Sequence, residues 1–291
     1  MENLLAHSFD YLCSYEPSKV RKGLRQVEGL LAQICLSKPK STSDRRRSYL
    51  TTESQPVPKA LSELRDDPAF REFYKIQDGF QWNVAMRLVS CLEHLLGRGS
   101  NGTNDMLIVC TLDLIQGALL LHPPSRTLFA REIYMNLLLD LLDPINCPAI
   151  QSATLLTLVT ALLDCPTNTR TFEDLDGLLT VTSLFKQRAT SREVKLKLVE
   201  FLYFYLMPET PILSPAMGGR SSPPGLQRSP SKISSRPMSQ SSPTSPGRAG
   251  KMIRDTRTTD EKQAMLGRYL NNVEDLVEDL KETAPFGATV Y

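Results

Sequence analysis

The chain has 291 residues, 41% of them hydrophobic, which is enough for a sizeable core in one or two domains. A net charge of +2 excludes a class built on an overall basic surface, such as general nucleic-acid binding. No apolar run reaches the length of a membrane span, since Met106 to Leu121 is broken by Asp113 and Gln116.

The small total charge hides three blocks. Residues 1–206 are net neutral, residues 207–257 carry +6, and residues 258–291 carry −4. A neutral body with a basic tether and an acidic tail points to protein partners before nucleic acid. Six dispersed cysteines without a C-x-x-C, and an N-terminus without a basic n-region, indicate a reducing cytoplasmic or nuclear setting and no signal peptide.

In chain order, helices are predicted at Leu4 to Ser14 and Val20 to Cys35, the second with Val20, Leu24, Val27, Leu30, Leu31 and Ile34 at helical spacing. Ser37 to Pro58 is polar and basic and reads as a surface loop (38–58). Its Arg45-Arg46-Arg47-Ser48 run suits a basophilic kinase, making Ser48 a candidate phosphorylation site, although an ordinary solvated loop is the preferred reading. Further helices follow at Pro58 to Gln77, Phe80 to Leu96, Asp105 to Leu121, Leu128 to Leu142, Ala149 to Leu163, Phe172 to Lys186 and Ser191 to Leu206. Strand periodicity is almost absent. The last of these helices ends in Phe201-Leu202-Tyr203-Phe204-Tyr205-Leu206, apolar on all sides, so it belongs inside a helix stack and reads as the last packed layer before Pro208.

A shift of 43 residues superposes Phe129 on Phe172, Leu138 on Val181, Leu141 on Leu184, Ala153 on Leu196, Leu155 on Leu198 and Leu158 on Phe201. Pro123, Pro166 and Pro208 punctuate the same period. A repeat of ~40–47 residues built from helices is that of armadillo and HEAT units, whose apolar faces are buried only by stacking. The expected fold is therefore all-α, an armadillo/HEAT-like helical solenoid over residues 1–207.

Residues 208–257 are rich in Ser, Pro and Arg and are expected to be a disordered linker. Ser214, Ser229 and Ser245 each precede a proline, and Ser229 and Ser245 extend to Ser-Pro-x-basic, a form favoured by proline-directed kinases. A spacer with accidental dipeptides is equally compatible. Residues 258–284 then form a helix. Thr258 and Glu261 make a capping box, and Leu266, Leu270, Val273, Val277 and Leu280 form an a/d seam with an acidic outer face. Such a short seam must dock, either on its own body as a cap or on a partner.

The signatures of catalysis are missing. Gly97 to Gly102 matches G-x-G-x-x-G literally but follows a helix, with no βαβ unit around it. There is no P-loop, no kinase H-R-D or D-F-G, and no cysteine preceded by His as a Cys-based phosphatase requires. Cys91 and His94 share a helix face, but without a second ligand pair they read as packing residues. No cofactor and no metal are expected, and the chain reads as a non-enzyme.

Phe172-Glu173-Asp174-Leu175-Asp176-Gly177-Leu178-Leu179, the helix ending Tyr203-Phe204-Tyr205-Leu206, and the tail from Thr259-Asp260-Glu261-Lys262-Gln263 through Leu270-Asn271-Asn272-Val273 to Ala284-Pro285-Phe286-Gly287 resemble the fungal cell division control protein fourteen family. That family is the septation-network component, not the phosphatase that shares its name. The resemblance implies a non-catalytic adaptor that binds and activates a germinal-centre-type serine/threonine kinase in the septation initiation network. It also implies cytoplasmic residence with recruitment to the spindle pole body during division, and a role in cytokinesis and septum formation. The alternative is a helical-repeat scaffold for actin or microtubule machinery. Candidate exposed partner-binding residues are Arg170, Glu173, Lys186, Arg188, Arg192 and Lys195 in the last repeat, with Glu274 and Glu278 in the tail.

Overall fold

The structure, a computed structural model, describes residues 1–37, 57–97, 102–209, 256–275 and 278. Ser48, Ser214, Ser229 and Ser245 lie outside these residues, as do most of the 38–58 loop and the 208–257 linker. The described residues are all-α. Their one pairing of extended backbone is an isolated antiparallel bridge between Leu36 and Pro58. It pins the roots of the 38–56 segment together, with Ser37 N–H donating to Val57 O and Lys59 N–H to Cys35 O.

The elements are α1 (Glu2–Leu12), α2 (Pro17–Cys35), α3 (Leu61–Asp66), α4 (Pro68–Gln77), α5 (Val84–Leu96) and α6 (Asp105–Leu121). A 3-10 helix (Pro123–Ala130) follows, then α7 (Glu132–Leu141), α8 (Pro148–Leu162), α9 (Pro166–Asp174), α10 (Gly177–Lys186), α11 (Arg192–Leu206) and α12 (Thr259–Leu266). The long helices stand in a row. α2 packs on α6, α6 on α8, α8 on α11, and α11 on α12. One continuous apolar core runs through the row, from Leu5 and Val20 through Leu112 and Leu158 to Phe201 and Leu266.

Three predicted helices of the 1–207 body are split, each for a stated local reason. Pro58 to Gln77 becomes α3 and α4, because Pro68 cannot continue a helix and Asp67 caps the new one, accepting from Ala69 N–H at 2.7 Å. Leu128 to Leu142 breaks at Arg131, which is extended (φ −86°, ψ 126°). Phe172 to Lys186 breaks at Asp176, which is left-handed (φ 57°), and at Gly177, where a Cβ would sit 2.2 Å from the Phe172 ring. Only glycine lets α10 start that close to Phe172.

The 43-residue period reappears in the backbone. His122 and Cys165, 43 positions apart, both have φ −131° and ψ 80°, and each precedes the proline that opens the next element. Asparagine side chains bridge these seams. Asn83 Nδ2 donates to Ser125 Oγ at 2.8 Å, and Asn168 Nδ2 donates to Arg126 O at 2.7 Å. Asn168 thereby satisfies a buried carbonyl of the 3-10 helix, and Arg126 Nη1 donates in turn to Leu163 O at the end of α8. Of the superposed pairs, Phe129/Phe172, Leu138/Val181 and Leu158/Phe201 are fully buried on both sides. Ala153/Leu196 is not: Ala153 is buried by α6 packing on α8, whereas Leu196 is 59% exposed on α11.

His122 is 2% exposed, with Nδ1 2.7 Å from Ser125 Oγ, Nε2 3.2 Å from Asp78 Oδ1, and its ring edge-on to Tyr74. Burial lowers its pKa below the usual 6.5, against the opposing pull of Asp78. The unfolded chain therefore binds a proton more readily than the folded one, so this site's contribution is complete above pH ~6.5 and is lost as pH falls toward the folded pKa. Melting temperatures measured from pH 7.5 down to pH 5 should show a step of lost stability that is absent in His122→Gln. An unchanged step in the variant would place the titration elsewhere.

Candidate partner-binding surfaces

The apolar end of α11 dictates the first surface. Phe201, Leu202, Tyr205 and Leu206 are each at most 1% exposed, and Phe201 and Tyr205 pack against the Phe172 ring. This helix is not the last layer. α12 lies over it, burying Leu266, and the chain beyond buries Leu270 and Val273. These are the first three seam positions of the tail; Val277 and Leu280 lie outside the described residues. The seam is not carried by one helix. α12 ends at Gly267, a turn follows, and residues 273–275 are helical again. Gly267 and the Asn271-Asn272 pair are weak helix formers, and Leu270 still reaches the core through the turn. Thr258 caps α12, with the predicted reciprocal bonds to Glu261 present.

A buried ionic cluster ties α12 to the body. Glu173 on α9 accepts from Tyr205 Oη at 2.7 Å and lies 3.2 Å from Arg257 Nη2. Arg170 Nε is 3.1 Å from Glu173 Oε2 but off the hydrogen-bonding direction, so that contact is charge attraction alone. Glu209 is the hub. It pairs with Arg170 and, at 3.1 Å, with Lys262, and it accepts from the Arg257 backbone N–H at 2.9 Å. Glu209 N–H in turn donates to Arg257 O, so the two ends of the basic Ser/Pro segment meet at one point. Lys262, 4% exposed, also donates to Met207 O at 3.0 Å and sits over the Tyr205 ring.

Burial dominates the electrostatics. It raises the Glu173 pKa although the Tyr205 hydroxyl and both arginines oppose it, and it lowers the Lys262 pKa although Glu209 opposes it. Such a cluster sets register more than net stability, because desolvation offsets most of the Coulomb attraction.

Among the predicted binding residues, the expectation of exposure fails for two. The Glu173 side chain is 2% exposed and that of Arg170 17%, because both face the cluster under α12. Lys186 is exposed but engaged, its Nζ donating to Tyr269 O. Arg188, Arg192, Glu274 and Glu278 are exposed and Lys195 is half-buried. Glu209, Arg257 and Lys262 were missed. Their signal was position, since Glu209 and Arg257 flank the low-complexity segment at its two ends.

The second surface is a groove of about 1150 Å³ between α2, α4 and α6. Leu31 and Ala32, Leu114 and Leu120, and Leu64 and Phe70 form its walls. Gly117 lies in its floor, in mid-helix, where glycine costs roughly 0.5–1 kcal/mol relative to Ala. No close approach explains it, since a Cβ there would meet nothing nearer than Leu31 Cδ1 at 3.9 Å.

Two clusters have the residue types of catalysis without its geometry. Asp78, His122 and Ser125 make a chain of contacts, but Ser125 is 4% exposed and its Oγ already accepts from Asn83. A substrate cannot reach that hydroxyl unless the seam opens. Cys91 is 3% exposed and burial pushes its thiol up to about 12, far from a thiolate ligand or nucleophile, and His94 stacks edge-on against Tyr15. Among the described residues no group of three or more His, Cys, Asp or Glu side chains could hold a metal ion.

If α12 caps the row, truncating its central anchor must destabilise the body. Leu266→Ala should lower unfolding stability by about 2–5 kcal/mol, the usual cost of a fully buried Leu. Chemical denaturation of the full chain measures it; a loss below ~0.5 kcal/mol would mean that α12 is not docked.

The comparisons with known proteins follow the same boundaries. The chain matches the family described as "Cell division control protein 14, SIN component" over residues 1–286, which includes the docked tail. It is 30% identical to "Cell division control protein 14" of Schizosaccharomyces pombe over 296 residues, covering 99% of this chain and 97% of that protein. No solved structure matches. With its body, its linker and its capping tail all within one match, the chain belongs to the cell division control protein 14 family of septation initiation network components.

Proposed function

We propose that this chain is a non-catalytic adaptor that binds and activates a germinal-centre-type serine/threonine kinase of the septation initiation network, promoting cytokinesis and septum formation. The row of helices is read as a short armadillo-like solenoid, whose common use is to offer an extended face to a partner. The observation that carries the reading is the row's apolar groove, which offers a place for a partner, while the His122–Ser125 and Cys91 clusters are buried. Residence is cytoplasmic, with recruitment to the spindle pole body during division. Arg188 and Arg192, with half-buried Lys195 and the exposed Glu274 and Glu278, supply charges suited to steering a partner.

The test is reconstitution. Purified full chain and kinase should form an equal-amount complex, and kinase activity on a model substrate should rise on titration with the chain. Charge reversal at Arg188→Glu and Arg192→Glu should slow association roughly tenfold at low salt, with a weaker effect at high salt. A complex without increased activity would reduce the role to tethering. Recovery of actin or microtubule proteins in place of any kinase would move the chain to the cytoskeletal scaffold class.

A further inference from the structure

The groove between α2, α4 and α6 is larger than the ~300–1,000 Å³ pockets that take small ligands, and its walls are apolar along their length. A groove of that shape fits the apolar stripe of a helix, read at i, i+3, i+4 and i+7. Its rim is cationic. Lys59, Arg65, Arg71 and Lys75 face it, against Glu28 and Asp78. Lys59 is held by Asp67 and Arg71 by Asp66, while Asp78 contacts His122. The lowered pKa of His122 leaves it uncharged at neutral pH, so Glu28 and Asp78 are the two carboxylates set against the four rim cations. Arg65 and Lys75 are exposed and have no ion-pair partner among the described residues.

Two occupants from this chain itself fit poorly. Residues 38–56, whose roots border the groove, carry Lys38, Lys40, Arg45, Arg46 and Arg47 against Asp44 and Glu53, the wrong sign for this rim. The acidic tail has the right sign, but its Leu266, Leu270 and Val273 are already buried at the α11 end of the row. Gly117 adds an independent pointer. A helix-interior glycine without a packing reason leaves open the space that any side chain would take from the groove.

We propose that this groove seats an acidic amphipathic helix of the partner kinase. The apolar stripe of that helix lies over Gly117 and Leu120, and its carboxylates pair with Arg65 and Lys75. The proposal rests on the adaptor reading and deepens it by naming the contact.

The experiment uses the full chain with a photo-reactive benzophenone side chain at position 120, where the native Leu120 is 52% exposed, reconstituted with the purified kinase. Mass spectrometry should map the cross-link to an acidic amphipathic segment of the kinase. In parallel, Gly117→Phe should weaken kinase binding by more than tenfold with an unchanged melting temperature, and Arg65→Glu with Lys75→Glu should weaken it in a salt-dependent way. Should Gly117→Phe fail to fold, Leu120→Glu reads the same contact from an exposed position. Cross-links to residues 38–56, to the tail or to a second copy would overturn the proposal. So would an intact complex with no cross-link, in which case the adaptor reading stands and the groove is not its seat. Absence of any complex with the unmodified chain would instead overturn the adaptor reading itself.

Discussion

Glu209 and Glu173 place two carboxylates in the low-dielectric end of the helix row, and three cations from two parts of the chain converge on them. Arg170 comes from the body; Arg257 and Lys262 arrive 48 or more residues after Glu209. A buried carboxylate without its counter-charge is far more costly than the pair is favourable. The cluster is therefore satisfied in one arrangement, with α12 seated on α11. That arrangement lays α12 against α11, with Lys262 over the Tyr205 ring.

Closure at Glu209 and Arg257 also changes what the Ser/Pro segment is. Its two ends are hydrogen-bonded to each other, so it leaves and re-enters the body at one place. The same logic holds on a smaller scale at Leu36 and Pro58, where a bridge closes the base of the 38–56 segment beside the groove. One apolar core runs through the row from α2 to α11.

Much of this was legible in the residues. The all-α character, the long helices α2, α6, α8 and α11, the tail's capping box and its buried seam all follow from periodicity and caps. The 43-residue period anticipated the seam at His122 and Cys165, where the backbone repeats. What periodicity could not supply was interruption and long-range charge pairing. The breaks at Asp67, Arg131 and Asp176 fall inside segments whose apolar spacing runs on undisturbed, and they are set by a cap, an extended residue and a glycine against Phe172. Arg170 and Glu173 looked like surface residues because the cations that complete their cluster, Arg257 and Lys262, lie across an insert. The groove was invisible too, since it is made by α2, α4 and α6 meeting, and no single stretch encodes it.

The central claim is that the tail is an integral layer of the fold. Amide hydrogen exchange of the full chain tests it most directly, because exchange resolves local opening from global unfolding. The account predicts that amides of α12 and of the last turns of α11 are protected to similar degrees and open together. Rapid, peptide-like exchange through residues 259–266, with α11 still protected, would contradict it.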